Sequence, residues 1–372
     1  MRNFVWIFAL SITFGCSVKP ELNGDLQAVF VPEYAKGFVI EKLENTKVLS
    51  IISDFGKPDT IRYVLREKGQ NIPSALKDLT VIDVPVERII PTSSTFIPYL
   101  EELEVDKSIV AFPNINYISS DVVYDRATNK EIVDIGENEL MNLELIYNLN
   151  PDLLMTFSLN GEISGHDFLK KANIPILYNG DWREKSPLAR TEWIYVYAYL
   201  FQEVERAQNY FNSVKNNYIS LKKKEVDKNK TVISGSIFNG IWYAPGGNSF
   251  MATFYKDAGL HYIYSDNTKT ASLSLDPEAV VFESKNAEYW FAPDNASSLE
   301  KLRTANPLYN NLKAVAQNRV FSYAMRKSKN GSFIYFDQAP LHPDWVLSDI
   351  LYFTSQDSLD SKYKTKFFDR LD

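Results

Sequence analysis

Short apolar runs alternate with amphipathic segments from residue 85 to the end of the chain. This alternation of buried strands with helices is typical of a parallel α/β sheet. The runs form two sets, which predict an N-terminal lobe over residues 85–186 and a C-terminal lobe over residues 228–372, each Rossmann-like with a mainly parallel central sheet. The predicted strands are residues 88–91, 108–112, 152–157 and 174–178 in the first lobe, and 231–236, 261–264, 288–292 and 319–323 in the second.

Helices are predicted between these strands, and their order repeats. Residues 142–144 (Asn-Leu-Glu) begin a helix that leads into the strand at 152–157, and residues 276–278 (Asp-Pro-Glu) begin one that leads into the strand at 288–292. This correspondence predicts an internal structural repeat with long spacing. The predicted helices are residues 95–104, 139–148, 167–172, 249–258, 277–284, 307–316 and 343–353.

The segment 187–227 has a different character, because it contains neither glycine nor proline after Pro187. Ser186-Pro187 is a favourable helix start, and apolar residues then recur at alternating steps of four and three. The pattern predicts one continuous helix of about 55 Å, which we interpret as a rigid bridge between the lobes, with a coiled-coil arm as the alternative. The apolar stripe consists of Trp193, Tyr197, Leu200, Val204, Ala207, Phe211, Val214, Tyr218 and Leu221.

Residues 34–84 lie before the α/β repeat and have the pattern of strands. Residues 46–53 and 59–66 are rich in β-branched and aromatic side chains, and Gly, Pro and Asp bound them. Such runs between turn residues predict strands. We therefore expect a strand-rich N-terminal extension.

The first sixteen residues resemble the signal peptide of a bacterial lipoprotein. Arg2 precedes an apolar run over residues 4–15, which is too short to span a bilayer as a mature helix. The run ends at Gly15-Cys16, which resembles a lipobox, although Thr13 stands where the usual pattern has leucine. The resemblance implies that Cys16 is lipidated and that residues 17–33 form a flexible leash on the periplasmic side of a bacterial membrane. A plain signal peptide with an incidental cysteine is the alternative.

Charge and composition exclude several classes of protein. The chain has 40 Lys and Arg against 47 Asp and Glu, a formal net charge of −7, and no basic stripe beyond residues 222–224, so nucleic acid is not an expected partner. Cys16 is the only cysteine, and His166, His261 and His342 stand apart, so neither an intrachain disulfide nor a metal centre is expected.

Sequence motifs of common enzymes are also missing. There is no G-x-S-x-G or H-E-x-x-H motif, and the S-x-x-K matches at 74–77, 220–223 and 298–301 lack companion motifs. We therefore expect neither catalysis nor a cofactor.

An ordered set of motifs over residues 85–355 resembles the ABC-importer binding proteins for siderophores, haem and vitamin B12. The set comprises RIIPTSST, NLELIYNLNPDLLMTF, the long predicted helix, APGGNSF, LDPEAVVF, EYWFAPDN and HPDWVLSDIL. The resemblance implies two lobes joined by a single rigid helix, in a lipoprotein that captures a bulky metal chelate in the cleft. It also implies an ABC permease dimer with its ATPase as the partner. A surface lipoprotein that captures a ligand without a permease is the alternative.

The resemblance also implies how the permease is recognised. In that family one glutamate on each lobe docks onto arginines of the permease, and the matching positions are Glu144 and Glu278. Each glutamate lies near the start of a predicted helix, and these two helices occupy corresponding positions in the two lobes. The alternative is two solvated glutamates that the helix dipole favours near an N-terminus.

Loops at the carboxyl ends of the predicted strands supply candidate ligand contacts, because ligands of open α/β sheets bind there. Free N–H groups at the helix start after Ser93 and Ser94 can bind an anion, although simple helix capping is the alternative. The rings of Trp182, Trp242 and Tyr243 offer flat faces for a macrocycle or catechol, with a turn or core packing as the alternative. The candidates are Thr92, Ser93, Ser94, Asn116, Tyr117, Asn160, Asp181 and Trp182 in the first lobe, and Trp242, Tyr243, Gly247, Asn248, Asn295 and Lys329 in the second.

A stiff bridge predicts small opening of the cleft and hence a bulky, rigid ligand. The loops lack the ring of His, Asp and Glu that a bare metal ion needs. Arg183, Arg326 and Lys329 are candidate partners for anionic groups on a ferric chelate. The expected oligomeric state is a monomer.

Overall fold

The structure is a computed structural model that describes residues 26–54, 58–157, 165–223, 225–293, 295–355 and 363–372. The predicted signal peptide, Cys16 and Asn160 lie outside these residues, as does the predicted leash up to residue 25. None of the helices in these ranges combines the length and the apolar character needed to cross a lipid bilayer.

A five-stranded sheet precedes the two lobes. Its strands lie in chain order; neighbours are antiparallel from β1 to β4, and β5 pairs parallel with β4. The leash prediction for residues 17–33 is wrong at its end, because β1 lies inside it and pairs with β2, and the ring of Phe30 packs 4.2 Å from that of Tyr195. The strands are β1 (Gln27–Phe30), β2 (Phe38–Leu43), β3 (Thr46–Asp54), β4 (Pro58–Glu67) and β5 (Thr80–Val84).

The N-terminal lobe has the predicted parallel α/β arrangement. Its central strands run parallel in the order β10-β9-β6, and β7 pairs parallel with β8 beside them. The elements are β6 (Ile89–Pro91), α1 (Ile97–Glu102), β7 (Ala111–Phe112), α2 (Asp121–Thr128), β8 (Val133–Asp134), α3 (Leu143–Leu149), β9 (Leu153–Thr156), α4 (His166–Lys171) and β10 (Ile176–Tyr178).

The added sheet and the N-terminal lobe share one hydrophobic core. Buried side chains of β2, β3, β4 and β5 pack in the same cluster as those of α1 and β9. The backbone N–H of Tyr178, at the end of β10, also donates to the hydroxyl of Tyr63 on β4 at 3.2 Å. The extension is therefore part of the lobe rather than a separate unit.

The predicted single helix over residues 187–227 is wrong. The segment forms three helices, α5 (Pro187–Glu192), α6 (Ile194–Phe201) and α7 (Val204–Leu221), with breaks at Trp193 and at Gln202, which has a left-handed backbone (φ 62°). Nearly every residue of α6 is buried, because the added sheet covers one side and the N-terminal lobe the other. Apolar periodicity continues through a one- or two-residue break, so the stripe did not reveal it.

Two carboxylates of this region bind the chain segment between β1 and β2. Glu192 accepts the backbone N–H groups of Glu33 (2.7 Å), Tyr34 (2.8 Å) and Ala35 (2.8 Å), and Glu184 accepts those of Lys36 and Gly37, both at 2.9 Å. The ring of Tyr34 packs against the cores of both lobes. The segment 33–37 is therefore a second connection between the lobes beside α5, α6 and α7.

The C-terminal lobe contains a five-stranded sheet of order β14-β11-β16-β17-β18, parallel except for β18. A three-stranded antiparallel sheet, β12-β13-β15, was not predicted, and the predicted helix 307–316 is split at Leu312. The elements are β11 (Asp227–Ser234), β12 (Ser236–Phe238), β13 (Ile241–Ala244), α8 (Phe250–Asp257), β14 (Leu260–Tyr262), β15 (Leu273–Leu275), α9 (Pro277–Ser284), β16 (Tyr289–Phe291), α10 (Leu299–Ala305), α11 (Lys313–Ala316), β17 (Val320–Ser322), α12 (Ile334–Gln338), α13 (Pro343–Thr354) and β18 (Asp369–Arg370).

His342 lies where α7 packs against the start of α13. Its Nδ1 is 2.8 Å from the hydroxyl of Tyr210 on α7, and its ring stacks at 3.7 Å on Trp345. Burial lowers the pKa of His342 to about 3, and the charge of Lys366 acts in the same direction. The imidazole is therefore neutral in the folded protein at pH 5 to 7.

We expect this histidine to make the folded protein sensitive to mild acid. Below pH 6.5 the imidazole takes up a proton in the unfolded chain but not in the folded one, so stability is lost as the pH falls. Between pH 7 and pH 5 this single group lowers the free energy of unfolding by about 2 kcal/mol. Urea unfolding at pH 7 and pH 5 measures this loss. In His342→Gln the free energy of unfolding should fall by about 2 kcal/mol less than in the wild type. His166→Gln, at a more exposed histidine, is the control, and an equal fall in wild type and His342→Gln would contradict the expectation.

Candidate functional site

A pocket of about 670 Å³ lies where strand-end loops of the two lobes meet. The N-terminal lobe contributes the turn after β10, and the C-terminal lobe contributes residues that follow β11, β13, β16 and β17, together with α12. Carboxyl ends of parallel strands from both sheets therefore face one cavity, as expected for this fold class. The lining residues are Trp182, Arg183, Glu184, Lys185, Ser234, Gly235, Tyr243, Ala244, Pro245, Asn248, Ser249, Phe250, Met251, Thr270, Ala271, Ser272, Ala292, Tyr323, Tyr335 and Phe336.

Aromatic rings form much of the C-terminal wall. Tyr323 and Tyr335 stack with centroids 5.3 Å apart, and Phe336 meets Tyr323 edge-on at 5.0 Å. The Tyr335 hydroxyl donates to the sulfur of Met251 at 2.8 Å, and burial raises the pKa of this tyrosine above its usual range. The wall therefore offers flat apolar surface and a hydroxyl that remains protonated.

The N-terminal wall carries cations. Residues Asp181–Arg183 form a short 3-10 turn after β10, and the guanidinium of Arg183 lies 6.0 Å from the ring centre of Trp182. The carboxylate of Glu184 is occupied by the N–H groups of Lys36 and Gly37 and by the indole N–H of Trp193 (3.0 Å). Arg183 and Lys185 are the cationic side chains of this wall.

Asp181, a predicted ligand contact, lies beneath the pocket instead. It is 2% exposed, and its carboxylate pairs with Nη2 of Arg190 at 3.2 Å. The Arg190 guanidinium also lies over the ring of Phe250 at 5.2 Å. The prediction for Asp181 is therefore corrected, because its charge is used inside the protein, whereas Trp182 faces the pocket with 40% of its surface exposed.

The prediction that Trp242 faces the cleft is wrong. Its side chain is fully buried, stacks on Trp290 at 5.6 Å and donates its indole N–H to the carbonyl oxygen of Ser234 at 3.2 Å. Successive side chains of a strand point to opposite faces, so the neighbouring ring of Tyr243 on β13 reaches the pocket although that of Trp242 does not.

Gly247 and Asn248 belong to the loop between β13 and α8. A Cβ on Gly247 would stand 2.1 Å from the carbonyl oxygen of Asn267, so the glycine serves close packing of the chain against itself. Asn248 lines the pocket, while its side-chain amide donates to the carbonyl oxygen of Thr268 at 3.1 Å. Ser249 caps α8 by accepting the N–H of Ala252 at 3.2 Å.

Thr92, Ser93 and Ser94 do not line this pocket. The Thr92 hydroxyl is buried and donates to that of Thr156 at 3.0 Å, and Ser93 accepts the N–H of Thr95, as the capping alternative predicted. Ser94 donates to Oδ1 of Asp337 on α12 at 2.8 Å. The expected anion-binding loop thus contacts a carboxylate of the other lobe.

Asn116, Tyr117, Asn295 and Lys329 also lie outside the lining. The Asn116 carbonyl oxygen accepts from Asn330 at 2.9 Å, Tyr117 is exposed, and Lys329 pairs with Asp125 at 2.6 Å. Arg326, a candidate for anionic groups, pairs with Asp369 at 2.5 Å instead. The cleft therefore contains the pocket and, beside it, a region where the two lobes are in direct contact.

Sequence reasoning missed Phe250, Met251, Tyr323, Tyr335 and Phe336. Tyr323 directly follows β17. The argument that ligands bind at the carboxyl ends of strands, which selected Asn295 after β16, would have selected Tyr323 as well. The residues of α8 and α12 gave no comparable signal, because aromatic and thioether side chains at helix starts are usually core.

Glu144 and Glu278 occupy equivalent positions in the two lobes. Each is exposed and is the second residue of its helix, α3 or α9. Asn142 and Asp276 cap these helices by accepting the N–H groups of Leu145 (3.0 Å) and Ala279 (2.9 Å). Both helices lead into a central strand, β9 or β16.

Across the ranges that the structure describes, no three or more His, Cys, Asp or Glu side chains are grouped so that they could hold a metal ion.

Comparison with known proteins identifies similar sequences. A family model described as periplasmic binding protein matches residues 89–326. An uncharacterized lipoprotein of Methanocaldococcus jannaschii is 26% identical over 329 residues, a match that covers 82% of this chain and 75% of that protein.

Solved structures share the fold at low identity. The periplasmic haem-binding protein HutB of Vibrio cholerae is 16% identical, with a TM-score of 0.55 over 70% of this chain and 98% of that one. CeuE of Helicobacter pylori with Ni(II) bound is 20% identical, with a TM-score of 0.53 over 75% of this chain and 88% of that one. These likenesses show a common two-lobed α/β fold.

We expect Asp181 and its neighbour Trp182 to differ sharply in their effect on stability. Asp181→Ala leaves the buried Arg190 charge without its partner and should lower the free energy of unfolding by about 3 kcal/mol. Trp182→Ala removes a partly exposed ring and should cost less than about 1 kcal/mol. Urea unfolding of the two variants measures both values, and a similar loss in each would contradict the structural role of Asp181.

Proposed function

The chain belongs to the periplasmic binding protein family, and on that premise we propose that it captures a bulky metal chelate in the interlobe pocket and delivers it to an ABC importer. The single observation that carries this proposal is the pocket itself. It joins an aromatic wall of one lobe to a cationic wall of the other and has no cluster of metal ligands among the described residues.

The wall chemistry supports an anionic chelate. Flat rings of Trp182, Tyr243 and Phe336 are partly exposed and suit the faces of a macrocycle or catechol. Arg183 and Lys185 suit carboxylate or catecholate oxygens at the edge of such a ligand. Among ferric siderophores, haem and vitamin B12, the two cations favour the first two. The haem-binding and Ni(II)-bound neighbours agree with a metal-containing ligand.

We further propose that Glu144 and Glu278 dock onto the permease. Their matching place on α3 and α9 suits a partner with two equivalent halves, and a carboxylate on a helix surface pairs well with arginine. Exposed aromatic rings lie on the same helices, Tyr147 on α3 and Phe282 on α9. Apolar surface beside a charge is typical of a protein interface.

The proposed tether is a lipid on Cys16. The relative named as a lipoprotein supports it. In this proposal the chain is anchored on the periplasmic side of a bacterial membrane, and the membrane contact is through the lipid alone.

Titration with haemin, ferric enterobactin and cyanocobalamin tests the ligand. We expect haemin or ferric enterobactin to bind, and Trp182→Ala to weaken that binding about tenfold through the loss of ring stacking. Lys185→Gln should weaken the binding of the anionic probes and leave the affinity for cyanocobalamin unchanged. Tyr352→Ala, at an exposed ring outside the pocket, is the control. Tight binding of a bare cation or a sugar, with none of the three chelates bound, would sink the proposal.

Uptake in the native host tests the docking. Replacing both glutamates by alanine should lower chelate uptake at least about tenfold while the affinity of the purified protein for the chelate stays unchanged. Glu300→Ala is a matched control, because Glu300 is also exposed, also second in its helix and also follows a capping residue, Ser298. Unaltered uptake would favour ligand capture without a permease.

A further inference from the structure

A set of polar contacts joins the two lobes outside the lining of the pocket. We call it the clasp, and it consists of residues 329–332 and Asp337 of the C-terminal lobe against Ser94 and residues 116–125 of the N-terminal lobe. In its outer part, Lys329 Nζ lies 2.6 Å from Oδ2 of Asp125, and the side-chain amide of Asn330 donates to the carbonyl oxygens of Asn116 (2.9 Å) and Ile118 (2.7 Å).

The inner part of the clasp is a buried carboxylate between two hydroxyls. Asp337, 5% exposed, accepts from Ser94 at one oxygen (2.8 Å) and from Ser119, 8% exposed, at the other. Both hydroxyls come from the N-terminal lobe, whereas Asp337 lies on α12 of the C-terminal lobe. The N-terminal lobe thus presents a site for one carboxylate, and the chain fills it with its own.

The outer and inner parts of the clasp differ in burial and therefore in the strength of their contacts. The Lys329 and Asp125 side chains are 56% and 53% exposed, so water and salt weaken their attraction. A buried carboxylate whose two oxygens each accept a hydrogen bond loses far more when its partners are removed. The inner contacts should therefore decide whether the lobes stay together here.

Helix α12 connects the clasp to the pocket. Its five residues carry Tyr335 and Phe336, which line the pocket, and then Asp337. The helix also packs against the turn Ser94–Phe96 and against α1 of the other lobe. A change in the contact of Asp337 therefore moves the element that bears two rings of the aromatic wall.

We propose that Asp337 is a positioning residue: through Ser94 and Ser119 it holds α12 against the N-terminal lobe and so sets both the spacing of the lobes and the orientation of Tyr335 and Phe336. The effect on ligand affinity rests on the proposed function. The effect on lobe spacing does not, because it concerns the unliganded protein.

Interlobe distances measured by double electron–electron resonance test the clasp. Spin labels at Asn148→Cys and Asn286→Cys, which are exposed positions near the ends of α3 and α9, report on the two lobes in the chain carrying Cys16→Ser. Asp337→Ala should lengthen and broaden the distance distribution. Ser94→Ala with Ser119→Ala, made on the other lobe, should reproduce that change, because neither hydroxyl side chain is needed to build α12.

Conservative and outer variants provide the controls. Asp337→Asn can still accept from one serine and donate to the other, so it should restore the wild-type distribution. Lys329→Ala should leave the distribution unchanged, because that ion pair is exposed. Urea unfolding of every variant checks that the fold is retained.

Affinity for haemin and ferric enterobactin provides the second readout. Asp337→Ala should lower the affinity for the probe that binds about tenfold, and Asp337→Asn should lower it less than about threefold. A wild-type distance distribution in Asp337→Ala, or tighter binding by that variant, would overturn the proposal, the latter because Asp337 would then be competing with the ligand. If none of haemin, ferric enterobactin and cyanocobalamin binds even the wild type, the proposed function fails, and the distance measurement alone decides the role of the clasp.

Discussion

The binding of the segment 33–37 by the carboxylates of Glu184 and Glu192 is the constraint that positions the added sheet against the bridge. Five backbone N–H groups of that segment donate to these two carboxylates. Burial raises the pKa of Glu192, while the N–H donors act in the opposite direction. Carboxylates taken out of water need such donors, so the added sheet and the bridge are fixed to each other at this point.

The same constraint shapes the pocket. Because Glu184 faces the segment 36–37 and Trp193, the turn that bears Trp182, Arg183 and Lys185 is anchored from behind. The chain segment that leads into the added sheet thus helps to position a residue of the pocket wall.

Sequence reasoning located most strands and helices of the lobes but misjudged the bridge. Residues 277–284 are a helix as predicted, since Asp276 caps it and Pro277 suits its first turn. The stripe from Trp193 to Leu221 instead spans three helices. The connection between the lobes is therefore not one long rod. It consists of three helices, with α6 buried among the added sheet and the lobe core, and of the segment 33–37.

Local periodicity and residue order were enough to predict the α/β alternation, the internal repeat and the family resemblance. It also located Trp182, Tyr243 and Asn248 in the pocket wall, since they follow or end strands. The burial of Trp242 and Asp181, and the contact of Asp337 with Ser94 across 243 positions of sequence, emerged only from the folded chain. Burial and long-range pairing depend on which faces of distant elements meet, and no local pattern of residues encodes that.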